Sequence, residues 1–248
     1  MNSKGTRIIL LLVFAHFLNI PLHSQSAKSA GYQEDSLLVL IREKTGTDQE
    51  LINGKQYFNA WFRYPGHPFF PDDSFHPGSL FMGSGHYPDL SLKYDCHSQE
   101  LILEYTDNAG RYNHLVINKS RIDSFDLGDL HFVKLELDGK RPQFYQVVTA
   151  GRISCFVNWK KDLVPENFDR EHLYRFGEPA GSFYLRYGDS ITPFSSKRTF
   201  ISCFPAPMQK SIRKYLGQEH IIFREMDHVT LETILEFISG LDGNTVKL

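Results

Sequence analysis

The chain is 248 residues long, with 27 basic against 29 acidic residues, 41% hydrophobic residues and three cysteines. This length can bury a sizeable core, and we expect one large domain with an appendage. The mild negative charge disfavours nucleic acid as a partner, and three scattered cysteines (Cys96, Cys155, Cys203) without a CxxC pair exclude a disulfide framework and allow at most one bridge.

Residues 1–24 have the layout of a secretory signal: Lys4 and Arg7, the apolar run Ile8 to Leu18, then a turn-prone exit through Pro21 to Ser24. Cleavage is expected after Ser24, with Ser26 and Ala27 as alternative sites. No cysteine adjoins the site, which argues against a lipid-anchored form. Removing the segment takes away two basic and no acidic residues, so the remaining charge is 25 minus 29, or −4. The apolar run is far shorter than the roughly 20 residues that span a bilayer, and no later segment approaches that length, so no transmembrane span is expected.

Residues 25–49 read as a flexible lead-in. Within it, Asp35 either caps a short helix through Leu37, Leu38, Leu40 and Ile41 or precedes a strand built from the same apolar run. An antiparallel β domain is expected over residues 50–195, opening with the turn dipeptide Asn53-Gly54. Residues 57–88 hold ten aromatic residues, among them Trp61, Tyr64, Phe75 and Tyr87, interleaved with Pro65, Pro68, Pro71, Pro77 and Pro88. Proline at that frequency interrupts helices and sheet ladders, so the segment reads as one long ordered loop whose rings pack on the sheet.

Leu90 to Tyr105 follows as two alternating strands around a polar turn. Asp95, Cys96 and His97 at that turn are a potentially reactive group expected to face solvent. Further strands are predicted at Asn113 to Ile117, Ile122 to Leu127, His131 to Leu137, Phe144 to Thr149, Ile153 to Trp159 and Ser182 to Tyr187. Turns are expected at Asn108-Ala109-Gly110, Asp138-Gly139, Ala150-Gly151 and Gly188-Asp189, and Lys160 to Pro179, charged and irregular, reads as a loop or an edge excursion. The fold class this implies is mainly β (α+β), an antiparallel barrel or sandwich of short strands with a C-terminal helical appendage. Cys155, at strand spacing from Ile153 and Val157, reads as a buried apolar residue.

The appendage covers residues 196–241. Ser195 or Ser196 caps a short helix carrying Phe200, Ile201 and Phe204. A second helix aligns Met208, Ile212, Tyr215 and Leu216 opposite Lys210, Arg213 and Lys214, with Gly217 as its stop. After an extended piece from His220 to Phe223, a third, capped by Asp227, aligns Leu231, Ile234, Leu235 and Ile238 and ends at Gly240. Residues 242–248 are expected to be a tail.

The chemistry-bearing residues form no decisive catalytic motif. His67, His76, His86 and His97 lie in or beside the aromatic loop, where a metal would need them to converge with a carboxylate or Cys96, but neither HExxH nor CxxC is present. Gly188-Asp189-Ser190 superficially matches an esterase serine box but sits at a hairpin turn, after both Asp-x-x-His spacings rather than before one. Acidic residues are plentiful without a pairing that would mark a glycosidase. No phosphate-binding or dinucleotide loop appears, so no cofactor is expected. Asp35-Ser36-Leu37 and Asp189-Ser190-Ile191 match a three-residue O-glycosylation pattern of exported bacterial proteins.

Asn53-Gly54-Lys55, Gly66-His67-Pro68-Phe69-Phe70, Leu92-Lys93-Tyr94-Asp95, Gln99-Glu100-Leu101-Ile102-Leu103 and Ser196-Lys197-Arg198 together resemble a family of uncharacterised exported β-rich proteins of Bacteroidetes-type bacteria. The resemblance covers most of residues 50–240 and implies an exported location, with no functional residue to carry over. The function expected is a non-enzymatic periplasmic or cell-surface protein that binds an envelope protein or glycan through Trp61, Tyr64, His67, Phe75 and Tyr87. The alternatives are an envelope hydrolase, metal-assisted through His67, His76 or His86, and a structural module whose Lys210, Arg213 and Lys214 face meets an acidic partner.

Overall fold

Alternation of apolar and polar residues generates one continuous sheet in the computed structural model, which describes residues 51, 54–107, 109–166, 173–219, 221, 223 and 226–245. The expected signal, the expected lead-in with Asp35 and Ser36, the turn residues Asn53 and Asn108, His220 and residues 246–248 lie outside the described residues. Among the described residues fourteen strands are formed. They are β1 (Lys55–Gln56), β2 (Phe69–Phe70), β3 (His76–Met82), β4 (Gly85–Asp95), β5 (Glu100–Thr106), β6 (Tyr112–Val116) and β7 (Ser124–Leu127), then β8 (Leu130–Leu135), β9 (Gln143–Ala150), β10 (Ile153–Lys160), β11 (Leu163–Pro165), β12 (Tyr174–Phe176), β13 (Ala180–Tyr187) and β14 (Ser190–Phe194). Twelve belong to one antiparallel sheet in the order β1-β6-β5-β4-β3-β7-β8-β9-β10-β13-β14, with β2 beside the end of β4, while β11 and β12 pair separately. The sheet is open at β1 and β14, so the architecture is sandwich-like rather than a closed barrel.

The sheet nevertheless curls over its own core. Tyr94 on β4 and Phe144 on β9 are four strand steps apart, about 19 Å in a flat sheet, yet their rings lie 6.0 Å apart. Inside the curl Phe125 stacks on Phe132 at 4.7 Å, and Tyr94 tilts against Phe132 at 5.3 Å. Period-2 alternation divides the strands cleanly. Cys155, Val157, Trp159 and Leu185 face this core, while Phe156 and Tyr184 point outward to a small second cluster with Tyr145. Cys155 is buried as expected, and all three cysteines are free.

Among the described residues three helices complete the core. In α1 (Lys197–Ser202) the Ser196 hydroxyl accepts from Thr199 N–H while the Thr199 hydroxyl accepts from Ser196 N–H, a reciprocal cap. Pro205 precedes α2 (Ala206–Gln218), which turns Met208, Ile212 and Leu216 inward. Asp227 Oδ1 accepts from Thr230 N–H at 2.8 Å and caps α3 (His228–Thr245), whose Leu231, Ile234, Leu235 and Ile238 are buried. Tyr215 of α2 stacks on Phe237 of α3 at 3.9 Å, and α3 lies against β9 and β10. Gln146 on β9 joins helix to sheet by accepting from Trp159 Nε1 at 2.6 Å and donating to His228 Nδ1 at 2.8 Å. No helix among the described residues is long and apolar enough to cross a membrane.

Several boundaries differ from the sequence reading. The expected loop over residues 57–88 contains β2, β3 and the first part of β4. Pro77 is tolerated because its carbonyl, and hence its nitrogen, faces the β7–β8 turn, where Gly128 N–H donates to Pro77 O at 2.8 Å, rather than a paired residue of β7. Pro88 sits in a bulge where Pro88 and Asp89 together oppose Ser79, and Asp89 takes φ 55°. The expected loop over Lys160 to Pro179 contains the β11–β12 hairpin. Beyond the Gly188-Asp189 turn the chain pairs again as β14, where Pro193 is acceptable because the strand is a sheet edge. Gly217 and Gly240 end no helix: α2 runs one residue further, and α3 continues to Thr245 because Leu241 still packs on the core.

Gln99 is the fastening point of the curl. It takes φ 57° at the β4–β5 turn, and its side chain donates to Cys96 O and Trp159 O, both at 3.0 Å, while accepting from Asn158 Nδ2 at 3.2 Å and Phe144 N–H at 3.4 Å. Truncating Phe132 to alanine is expected to cost about 3–5 kcal/mol in denaturant unfolding, as for other fully buried phenylalanines. Gln99→Gly is expected to lose about 1–3 kcal/mol from the orphaned buried groups, and Gln99→Ala about 1 kcal/mol more, because only glycine relieves the left-handed backbone. Equal losses for the two Gln99 variants would show that the backbone conformation is not what separates them.

Candidate functional site

The β4–β5 turn is buried, contrary to the solvent-facing expectation. Asp95 is 1% exposed, and Cys96 is fully buried because the 57–68 segment and the β11–β12 hairpin lie over them. Asp95 Oδ1 accepts from His97 N–H at 2.9 Å and Ser98 N–H at 2.8 Å, which shapes the turn. Burial raises its carboxyl pKa even though these hydrogen bonds oppose the shift. Cys96 N–H donates to Pro68 O at 3.1 Å, and its thiol donates to the same oxygen at 3.2 Å. Burial pushes that thiol up to about 12, so it stays protonated at neutral pH and is a poor nucleophile.

Over this turn lies the aromatic segment. Trp61 meets His97 edge-on at 4.7 Å and Phe176 at 5.7 Å, with Tyr64 tilted against it at 6.1 Å. Tyr64 N–H donates to Trp61 O at 2.9 Å, and Phe176 N–H donates to Pro65 O at 2.9 Å, which ties the segment to β12. Gly66 takes φ 83° directly above Phe176, where the backbones pass closely. His97 Nδ1–H donates to Lys161 O at 2.7 Å, which fixes its tautomer. Lys161 in turn is 6% exposed, and its ammonium lies 3.4 Å from His67 Nδ1. Burial lowers the pKa of both Lys161 and His67, and the Lys161 charge lowers His67 further.

Of the residues singled out from sequence, Trp61, Tyr64 and His67 are brought together here. Phe75 is elsewhere, stacked on His114 at 4.9 Å with Lys93 Nζ 4.6 Å from its ring. Tyr87 belongs to the core at 6% exposure, because β4 turns it inward across the hairpin from Leu80. Within the aromatic segment the rings that face solvent are Phe58 and Phe62, 72% and 71% exposed, with the Arg63 guanidinium 5.3 Å from the Phe62 ring centre. On the covering hairpin, Leu173 is 73% exposed and Tyr174 is 46% exposed.

His67, His76 and His86 have separate partners: Lys161, Asp72 at 3.1 Å, and the Phe81 ring at 4.3 Å. Among the described residues no three His, Cys, Asp or Glu side chains converge on one point. Ser190 is exposed at the start of β14, in a β-turn setting, and Lys210, Arg213 and Lys214 are exposed on α2. Lys161 and Phe176 were not marked by any sequence pattern, and Gln99 only as part of a resemblance that gives it no role. Their roles depend on contacts distant in the chain, such as Gln99 to Trp159, 60 positions apart, and Trp61 to Phe176.

Phe69 N–H also donates to His67 Nδ1, at 3.3 Å, so this nitrogen accepts two hydrogen bonds and the ring proton sits on Nε2. A second proton would break both bonds and set two cations side by side, with Asp72 and Asp73 compensating in part. The folded protein therefore binds this proton less tightly than the unfolded chain. Stability should fall as pH drops below the ordinary histidine value, 6.5, and level off beneath the folded-state value. Thermal midpoints measured between about pH 7.5 and 5.5 should fall less for His67→Gln than for the wild type, and parallel curves would rule out His67 as the source.

No family model, curated protein or solved structure matches the chain.

Proposed function

We propose that the protein is a non-enzymatic, exported binding protein of a bacterial envelope, periplasmic or on the cell surface, which holds a partner through the ring-bearing segment 57–66. The signal layout of residues 1–24 and the family resemblance support export. The observation that carries the binding reading is the pairing of two exposed phenylalanines with a pinned base: Phe58 and Phe62 are more than two-thirds exposed, while Trp61 between them is held by His97 and Phe176. Solvent-facing phenylalanine on a fixed loop contributes apolar contact area at low entropic cost on association.

A protein surface is the better fit as partner. Phe58 and Phe62 have no polar tip with which to hydrogen-bond a sugar, and Arg63 beside Phe62 adds a planar charged group of the kind enriched at protein interfaces. An envelope glycan is the second reading, favoured by half-buried Trp61 and Tyr64, whose polar tips suit a sugar ring. The groups beneath the loop support a scaffold role rather than catalysis. The Cys96 thiol is protonated, Asp95 caps its own turn, and His67 accepts from Lys161 and Phe69.

Phe58→Ser with Phe62→Ser should weaken capture of envelope proteins from the native host by about tenfold or more, the size expected of central apolar contacts. The thermal midpoint should not change, because neither ring is buried. Trp61→Ala should lower both binding and thermal midpoint. Undiminished capture of both protein and peptidoglycan fractions by the folded double variant would refute the reading, whereas loss of the peptidoglycan fraction alone would select the glycan.

A further inference from the structure

Residues 195–217 carry Lys197, Arg198, Lys210, Arg213 and Lys214 and no aspartate or glutamate, in a chain whose acidic residues outnumber its basic ones. Among the described residues, none of these five cations has an acidic partner. Their placement is locally unfavourable. Lys197 and Arg198 occupy the first turn of α1, the end where a helix dipole favours acids. Lys210 and Lys214 repel each other at i, i+4 in the body of α2. A solubilising surface would not need positive charge concentrated at such positions, and an anion held beside Lys197, Arg198 and Arg213 would offset part of the repulsion.

The two helices also leave space for one. A cleft of about 450 Å³ opens between α1 and α2, lined by Lys197, Arg198, Ile201, Ser202, Gln209 and Arg213. That volume falls within the roughly 300–1,000 Å³ of small-molecule sites. Ile201 is 4% exposed and forms an apolar floor. Ser202 Oγ already donates to Thr199 O at 2.7 Å and Gln209 Nε2 to Phe204 O at 2.8 Å, so the polar lining is held in place and the cations are the groups left to engage a ligand. Lys197 reaches across to α2, where its ammonium approaches Gly217, a residue without a side chain to displace it.

We propose that this cleft binds the phosphate group of a phosphate ester. Two arginines and a lysine lining one space suit an anion that carries up to two charges and several acceptor oxygens, whereas a lone carboxylate is satisfied by a single arginine. The space beyond a bare phosphate and the Ile201 floor accommodate the organic part. The site is separate in its residues from the aromatic segment and stands or falls independently of the proposed function.

Calorimetric titration of the full chain with glycerol phosphate tests the site in solution, and flotation with vesicles of phosphatidylglycerol and phosphatidylcholine, against phosphatidylcholine alone, tests a lipid-borne phosphate. Saturable one-to-one binding of glycerol phosphate is expected, about tenfold weaker in Arg213→Gln and in Arg198→Gln, the effect of losing a charge-assisted contact. Arg152→Gln, which removes the same charge from an exposed turn elsewhere, should bind as the wild type does. Binding to phosphatidylglycerol vesicles alone, with the same dependence on Arg198 and Arg213, would assign the phosphate to a lipid headgroup. Failure of both probes, or an equal loss in Arg152→Gln, would overturn the proposal.

Discussion

The four hydrogen bonds of the Gln99 side chain are the constraint on which the rest of the molecule depends. The twelve-stranded sheet never closes through strand pairing, so something other than a ladder must hold its two halves around one core. Gln99 does this from a tight turn, binding backbone groups of β9 and β10 and the Asn158 amide while lying 9% exposed. Its left-handed backbone costs on the order of 1–2 kcal/mol, which is acceptable only because each polar atom it buries is satisfied. Phe70 stacked on Trp159 at 4.6 Å supplies the apolar side of the same junction. With the halves so joined, the helices close the remaining face, and Gln146 connects that closure to the sheet through Trp159 and His228.

Much of this fold can be read locally, because period-2 and period-3.6 patterns report on residues near one another in the chain. The Leu90 to Tyr105 hairpin, the strands from Tyr112 to Lys160, the strand Ala180–Tyr187 and the caps at Ser196 and Asp227 all follow from neighbours within a few positions, whereas the β11–β12 hairpin does not. Proline misled the reading of β3 and β4, since proline forbids a ladder only where its nitrogen faces a partner strand. Pro77 faces a turn and Pro88 lies in a bulge, and neither fact is visible before strand order is known. The same bulge determines which way Tyr87 points, so a ring that sequence placed on a binding surface belongs to the core. In α3, Gly240 looked like a stop, but the contact of Leu241 with the core outweighs the roughly 1 kcal/mol that an internal glycine costs.

The candidate site divides in the same way. The density of rings in residues 57–88 marks the segment, and Trp61, Tyr64 and His67 do meet beside the β4–β5 turn. Which rings remain outside was not legible. Phe58 and Phe62 are exposed because Trp61 between them is drawn onto His97 and Phe176, and Phe176 comes from a stretch whose charge and irregularity suggested a loop or an edge excursion. Burial of Lys161 was equally hidden, since a lysine between Lys160 and Asp162 looks like surface until His67 and His97 are placed against it.

Burying a lysine beside a histidine under a loop is unfavourable in itself, and the arrangement makes sense through what it does to the loop. Each loop residue that is fixed costs about 1–2 kcal/mol of backbone entropy, whether the cost is met on folding or on association. Here folding meets it. Phe176 N–H to Pro65 O, Cys96 N–H to Pro68 O, the two bonds to His67 Nδ1 and the Trp61 stack hold the segment at successive points along its length. A partner that docks on Phe58 and Phe62 therefore meets rings on a backbone that is already ordered. Loosening the polar base, even with every exposed ring intact, would shift that entropic cost back onto binding, so the buried groups contribute to affinity without touching the partner.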